Sequence, residues 1–151
     1  MSDNNIWSDT WDPPGEDWSG GGGRSKRLAR ADRIGATVYE LDPGNFVVYH
    51  FHHGSEEMLF VLDGEMTMRT EEGERPVRRG DVVVFPVGPA GVHGFRNDGE
   101  GRCRYVVASA RQMPEVVEYP DLRKITAQAP TASQTGERLF FIHDVVESPA
   151  E

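Results

Sequence analysis

Two histidines in the stretch GNFVVYHFHHGSEEMLFVLDG, residues 44–64, have a spacing that suits shared chemistry. His50 and His52 are separated by one residue in a run of strand-like composition. Alternate residues of a β-strand share a face, so we expect both imidazoles to point the same way. The same alternation predicts Phe46 and Val48 on that face.

A carboxylate is predicted to join the two imidazoles. Gly54 and Ser55 interrupt the run, and a second strand begins at Glu57. A hairpin through this break brings Glu57 beside the histidines, with Glu56 as the competing carboxylate.

The opposite face of this hairpin is apolar as well, so neither face has the pattern of a solvated surface. Its apolar residues are Val47, Tyr49, Phe51, Met58, Phe60 and Leu62. A carboxylate and two imidazoles buried between sheets lose several kcal/mol each unless they are paired or bound to metal. Neutral imidazoles with a carboxylate are a ligand set for a divalent transition metal, so the residues favour a metal site.

The spacing of the glycines, histidines and glutamate resembles the first motif of the cupin family. The residues that carry it are Gly44, His50, His52, Glu57 and Gly64. The second motif follows in residues 80–97, GDVVVFPVGPAGVHGFRN, through Gly80, Pro86, Gly88, His93 and Asn97. The segment from Gly88 to His93 is two residues longer than the family pattern. ELDPG, HFHHGSEE and YPD further resemble small stand-alone bacterial cupins, which are mostly of unassigned activity.

The resemblance implies a fold and a ligand set. The fold is an all-β double-stranded β-helix, or jelly-roll barrel, in a single domain. The implied ligands are His50, His52, Glu57 and His93, holding one divalent transition metal ion per chain, whether Fe, Mn, Ni, Zn or Cu. Such a ligand set leaves coordination positions open, where a small polar metabolite would bind.

Composition also favours one β-rich domain. Strand-like runs recur about every ten residues, with Gly, Pro and Asp between them. We expect a barrel at residues 28–110 and a C-terminal extension at 111–151 that covers a barrel edge. Residues 1–27 have linker composition but include three tryptophans, Trp7, Trp11 and Trp18. This N-terminal arm is either a flexible tail or a segment that packs on the barrel or a partner subunit.

Charge and cysteine content indicate the cellular setting. The net charge of −9 and pI near 5.0 disfavour nucleic acid and anionic membranes as partners. Cys103, the only cysteine, is expected to be a buried thiol. The polar N-terminus has no apolar segment typical of a signal peptide, which predicts a cytoplasmic protein. Strands that are apolar on both faces, together with the cupin resemblance, predict a homodimer.

Catalysis is left open by the residues. An enzyme needs a general acid or base besides its metal ligands, and the nominees are His53, Glu56, Tyr49 and Tyr105. Asn97 either orients a ligand or caps a turn, and Arg96 is either solvated or an anion-binding group. Three hypotheses therefore stand: a dioxygenase-like or sugar-isomerase-like enzyme, a binding or sensing module without turnover, and a structural barrel whose metal only stabilises the fold.

Overall fold

The computed structural model describes residues 4–15, 21–28, 31–131 and 137–148. Within them the chain forms the strands β1 (Arg24–Arg27), β2 (Ile34–Leu41), β3 (Phe46–His52), β4 (Glu57–Asp63), β5 (Glu65–Thr70), β6 (Gly73–Arg78), β7 (Val82–Phe85), β8 (His93–Arg96), β9 (Cys103–Ala110), β10 (Glu115–Tyr119), β11 (Lys124–Pro130) and β12 (Arg138–Asp144). Short 3-10 turns lie at Pro89–Gly91 and Pro120–Leu122. Neither turn has the length or apolar character needed to cross a membrane, and no other helix occurs in the described residues.

The strands form two antiparallel sheets. One has the order β1-β2-β9-β4-β7, and the other the order β12-β11-β10-β3-β8-β5-β6. The predicted all-β jelly-roll barrel is confirmed. β6 lies at a sheet edge, where Pro76 removes no inner hydrogen bond.

A hydrophobic core contains inward-facing residues of both sheets. The buried cluster contains Leu41, Leu59, Val61, Met66, Met68, Val77, Phe85, Phe95, Cys103 and Tyr105. The alternation of β5 explains why both of its methionines are core residues. The expected buried thiol is also found, and burial raises the pKa of Cys103 to about 12.

The N-terminal arm lies on the outer face of the first sheet. The ring centroid of Trp11 is 5.2 Å from the guanidinium carbon of Arg24, 5.6 Å from Lys26 Nζ and 5.1 Å from the guanidinium carbon of Arg104. The side chain of Trp7 is 55% exposed. Trp18 falls outside the described residues.

A second group of contacts anchors the same arm. Lys26 is only 1% exposed, and its ammonium donates to the carbonyl and the hydroxyl of Ser8, at 2.9 and 2.6 Å. Arg104 joins Asp9 of the arm, at 2.6 Å, to the buried Glu40 of β2, at 2.8 Å. These ion pairs explain how charged residues are accommodated beneath the arm.

The C-terminal segment extends one of the two sheets. The sequence predicts that residues 111–151 cover a barrel edge; β10 pairs with β3, and β11 and β12 continue the same sheet. The segment therefore widens the sheet beyond β3. All seven residues of β12 are exposed.

Candidate metal centre

A bulge in β3 sets the direction of its histidines. The pairing of β3 with β8 shifts register between Val47 and His50, after which His50 lies opposite His93. A Cβ on Gly94 of β8 would lie 3.1 Å from the Val47 carbonyl oxygen, so this close approach favours glycine. His50 Nδ1 lies 2.7 Å from the carbonyl oxygen of Val48. Since that nitrogen donates its proton to the carbonyl, Nε2 keeps a free lone pair.

The bulge also corrects the predicted alternation of β3. Val47 packs against the core, whereas Phe46 is 40% exposed. The expected face shared by Phe46, Val48 and the histidines is therefore interrupted, because the extra residue shifts the phase.

A tight loop positions His93. A Cβ on Gly91 would lie 1.8 Å from the carbonyl oxygen of Pro86, so the loop closes only around a glycine. The Gly91 carbonyl accepts a hydrogen bond from His93 Nδ1 at 2.9 Å. The His93 ring stacks on Phe85, with 3.7 Å between ring centroids, and the residue is 2% exposed. These contacts fix the ring and leave its Nε2 directed at the site.

Glu57 of β4 lies between two of the histidines. Its Oε1 is 3.3 Å from His52 Nε2, and its Oε2 is 3.4 Å from His93 Nε2. Ligand atoms of His50, His52 and Glu57 lie within 4.8 Å of one another, and the ring centroids of His50 and His93 are 4.6 Å apart. All four residues predicted as ligands thus meet in one place. Glu56, the competing carboxylate, is exposed.

The electrostatics of His50 and Glu57 favour the forms that bind metals, whereas His52 would release a proton when a cation binds. Burial, reinforced by His93 and His52, lowers the pKa of His50 to about 3, so this imidazole is neutral. Burial opposes the charged form of Glu57, yet hydrogen bonds with His52 and His93 keep the pKa of its carboxyl below the usual range. Burial also opposes protonation of His52, but its hydrogen bond with Glu57 nevertheless raises the pKa of this imidazole. Neutral imidazole and ionised carboxylate are the ligand forms a cation requires.

Glu115 of β10 is a further carboxylate beside the cluster, and sequence reasoning missed it. Its Oε2 lies 3.9 Å from Nδ1 of His52, a buried nitrogen without a hydrogen bond in the described residues. The same carboxylate accepts hydrogen bonds from the Ser55 hydroxyl and, at 3.0 Å, from the Gly54 amide. Glu115 therefore holds the turn between β3 and β4 and faces the ring of His52. No local motif marks it, because it enters the site only through the pairing of β10 with β3.

A cavity of about 920 Å³ opens beside the cluster. His50 lines it, and so do three tyrosines from β2, β9 and β10, namely Tyr39, Tyr105 and Tyr119. Burial raises the pKa of each tyrosine, so the hydroxyls stay protonated. Arg27 of β1 also lines the cavity, and no ion pair joins its side chain to another described residue. Arg24, Asp12 and Glu40 line it too, and Arg24 pairs with Glu40. The cavity therefore combines hydroxyl groups with charged groups of both signs.

The other nominated residues lie elsewhere. His53 is 47% exposed and pairs with Glu118 at 3.1 Å. Arg96 pairs on the surface with Glu74 and Asp98. Neither residue faces the cavity.

Two further alternatives are resolved by local contacts. Asn97 caps a turn, since its amide donates to the carbonyls of Leu41 and Gly101 at 2.9 and 2.8 Å. Tyr49 lies under the guanidinium of Arg69, whose carbon is 3.8 Å from the ring centroid, and does not line the cavity. Of the two tyrosines nominated from sequence, only Tyr105 faces the cavity.

The donor set fits a divalent transition metal. Two Nδ1 atoms are engaged by backbone carbonyls and the third faces a carboxylate, which is how metal-binding imidazoles are commonly oriented. Three imidazoles and one carboxylate leave at least one position open in a five- or six-coordinate ion. His50 lines the cavity, so an open position on that side is accessible to a small molecule.

Comparisons with known proteins agree with this architecture. The family model described as "Cupin domain" matches residues 37–109. A putative sugar phosphate isomerase from Acidithiobacillus ferrooxidans is 28% identical, with a TM-score of 0.70, covering 85% of this chain and 81% of that one. A cupin-superfamily sugar phosphate isomerase from Silicibacter pomeroyi is 25% identical, with a TM-score of 0.70, covering 86% and 81%. Polyketide synthase CurC of Streptomyces cyaneus is 26% identical over 117 residues, which are 74% of this chain and 72% of that protein.

Proposed function

Since this protein belongs to the cupin family, we propose that it binds one divalent transition metal ion through His50, His52, Glu57 and His93. A small polar metabolite binds at the open coordination positions, on the side of the cavity. The observation that carries the proposal is the convergence of the imidazoles on Glu57, with each Nδ1 facing an acceptor. Fe, Mn, Ni, Zn and Cu all accept these donors.

Metal analysis tests the ligand assignment. We expect about one ion per chain after purification without added metal, and loss of most of that ion in the double variant His50→Ala/His52→Ala. His53→Ala is the matched control, since this exposed histidine pairs with Glu118 and should keep the metal. Full occupancy in the double variant would overturn the assignment.

A second candidate function is an isomerase acting on a sugar phosphate. The two structural relatives named as sugar phosphate isomerases favour it, together with a cavity lined by hydroxyl groups and by Arg27, which has no ion pair in the described residues. In such a reaction a bound metal supplies Lewis acidity toward a substrate oxygen. Tyr39, Tyr105 and Tyr119 keep their protons and would donate hydrogen bonds to substrate hydroxyls. Arg27 at the cavity wall would bind the phosphate.

Arg27→Ala should weaken the binding of phosphorylated sugars about tenfold, because a charge-assisted hydrogen bond is lost. Calorimetry with the metal-loaded protein, aldose phosphates and the matching unphosphorylated sugars measures this. Affinity for the unphosphorylated sugars should not change, and the exposed Arg79→Ala serves as control. Equal losses for both sugar classes would argue against an anion-binding role.

Turnover assays separate the two candidate functions. Isomerase and oxygen-consumption assays with each metal should give product if the protein is an enzyme. Saturable binding without turnover by any metal form would favour the binding function.

A further inference from the structure

β12 is an edge strand with an apolar sequence and no partner on its outer side in the described residues. Leu139, Phe140, Phe141 and Ile142 are 60, 49, 53 and 37% exposed. Strand β11 pairs with one side of β12 only. An exposed apolar edge of this kind is a template for pairing with another strand, and soluble proteins seldom leave one open.

The direction of the free backbone groups follows from the hairpin. The Val145 amide donates to Arg123 at 2.8 Å, and the Glu137 carbonyl accepts from Thr131 at 3.4 Å. Val145 and Glu137 flank β12, are both odd-numbered and direct these backbone groups toward β11. Alternate residues of a strand direct their backbone groups to opposite edges. The even-numbered residues 138, 140, 142 and 144 therefore present their N–H and C=O groups outward.

We propose that β12 pairs antiparallel with β12 of a second copy of this chain, about a two-fold axis at Phe141. This register pairs outward-facing residues with each other, since Phe140 lies opposite Ile142 of the partner subunit. It joins the two seven-stranded sheets into one continuous sheet. The contact is isologous, as expected of a symmetric dimer.

Charge complementarity selects this register. With Phe141 at the axis, Arg138 lies opposite Asp144 of the partner subunit, and the symmetry repeats that pair at the other end of the strand. Within each chain Asp144 already pairs with Lys124 at 2.5 Å and Arg138 donates to Gln128 at 2.8 Å, so the contact between copies adds to these interactions. An axis at Phe140 would place Arg138 opposite Ile142, and an axis at Ile142 would leave Arg138 beyond the paired segment. Only the Phe141 register combines an apolar centre with opposite charges at both ends. Each chain carries a net charge of −9, so local pairs of opposite sign also offset the repulsion between copies.

The register also predicts a self-contact at a single position. Phe141 directs its backbone groups to β11, so it forms a non-hydrogen-bonded pair with its own symmetry mate, where Cα atoms approach to roughly 4.5 Å. A disulfide can span that distance. Leu139 lies opposite His143 of the partner subunit and is far from its own mate.

Cysteine cross-linking tests the proposal. Phe141→Cys should form a covalent dimer on mild oxidation, seen by non-reducing electrophoresis. Leu139→Cys, the matched control on the same face, should stay largely uncross-linked. The native Cys103 is buried and does not interfere. Preferential cross-linking of Leu139→Cys, or equal and weak cross-linking of both, would overturn the register.

Charge reversal gives a test that does not depend on Phe141. Arg138→Asp should raise the dimer dissociation constant about tenfold in sedimentation equilibrium, because two pairs of like charges then face each other. Arg138→Asp combined with Asp144→Arg and Lys124→Glu, which keeps the pair between β11 and β12, should return the constant to within about threefold of the original. Both β12 positions are exposed, so circular dichroism should remain unchanged. A monomeric wild-type protein at micromolar concentration, or a dimer indifferent to these variants, would refute β12 pairing.

Discussion

The acceptors at the Nδ1 atoms orient the three imidazoles with unequal strength. His50 and His93 each donate to a backbone carbonyl at hydrogen-bond distance, whereas His52 faces Glu115 at 3.9 Å. Carboxylates in this position fix the tautomer and ring orientation of a metal-binding histidine. Glu115 is thus a positioning residue for His52.

Glu115→Ala should lower metal affinity about 10- to 100-fold, because His52 loses its orienting partner and the Gly54–Ser55 turn loses its acceptor. Competition with a chelator of known affinity measures this. The control is Glu118→Ala, on the same strand but paired with the exposed His53, which should bind metal normally. Unchanged affinity in Glu115→Ala would assign the residue to the turn alone.

Residues close in sequence could be predicted to meet, and distant ones could be predicted only where a motif marks them. His50, His52 and Glu57 follow from strand alternation and one turn, and His93 follows from a motif resemblance. Glu115 lies 60 residues from Ser55 along the chain, so only the pairing of β10 with β3 brings it to the site. The cavity tyrosines Tyr39 and Tyr119 likewise depend on packing that has no local pattern.

At the scale of elements, the N-terminal arm is tied to the first sheet by Trp11 and by ion pairs. Trp11 lies among three cationic side chains, and a cation near an aromatic face contributes about 0.5–2 kcal/mol. The ion pairs lie on the outer face of the sheet, while residues 11–15 of the arm also line the cavity that His50 faces. The arm should therefore affect stability and also bound the cavity mouth.

Trp11→Ala should destabilise the protein by about 2 kcal/mol, which lowers the Tm by roughly 4–8 °C for a chain of this size. Trp7→Ala provides the control, because its ring is 55% exposed and its loss should change the Tm little. Differential scanning calorimetry distinguishes the two variants. Equal melting temperatures for Trp11→Ala and wild type would mean that the arm is not bound in solution.

The position of a strand could be predicted where the signal lies within the strand itself, as alternating residues or a proline. Pro76 indicates an edge strand, and β6 lies at an edge. The bulge in β3 was not predictable, because it belongs to the pairing with β8, where Gly94 lies close to the bulged segment. The placement of β10 beside β3 also depends on a long-range pairing that the segment's own sequence does not specify.

At the scale of the whole molecule, a bound ion would connect both sheets. The proposed ligand Glu57 belongs to β4 of one sheet, and the three histidines belong to β3 and β8 of the other. An ion at this point would link the two sheets across the interior of the barrel. Because the unfolded chain lacks this geometry, metal binding should stabilise the folded state.

Metal removal should therefore lower the free energy of unfolding. At a free metal concentration one thousand times the Kd, the difference is about 4 kcal/mol. Thermal denaturation of chelated and reloaded protein measures it, and His50→Ala/His52→Ala should show no response to added metal. If wild type also gave no response, the cluster would not hold an ion across the two sheets.

Three of the proposed donors, His50, His52 and Glu57, lie within eight consecutive residues. A nascent polypeptide therefore exposes three donor side chains as soon as this segment leaves the ribosome, before β8 and β10 have emerged. An ion captured then is bound by the open chain as well as by the finished barrel, and this reduces the net stabilisation it provides. Expression in metal-poor medium, with the ion added after purification, is the preparation that suits such an architecture.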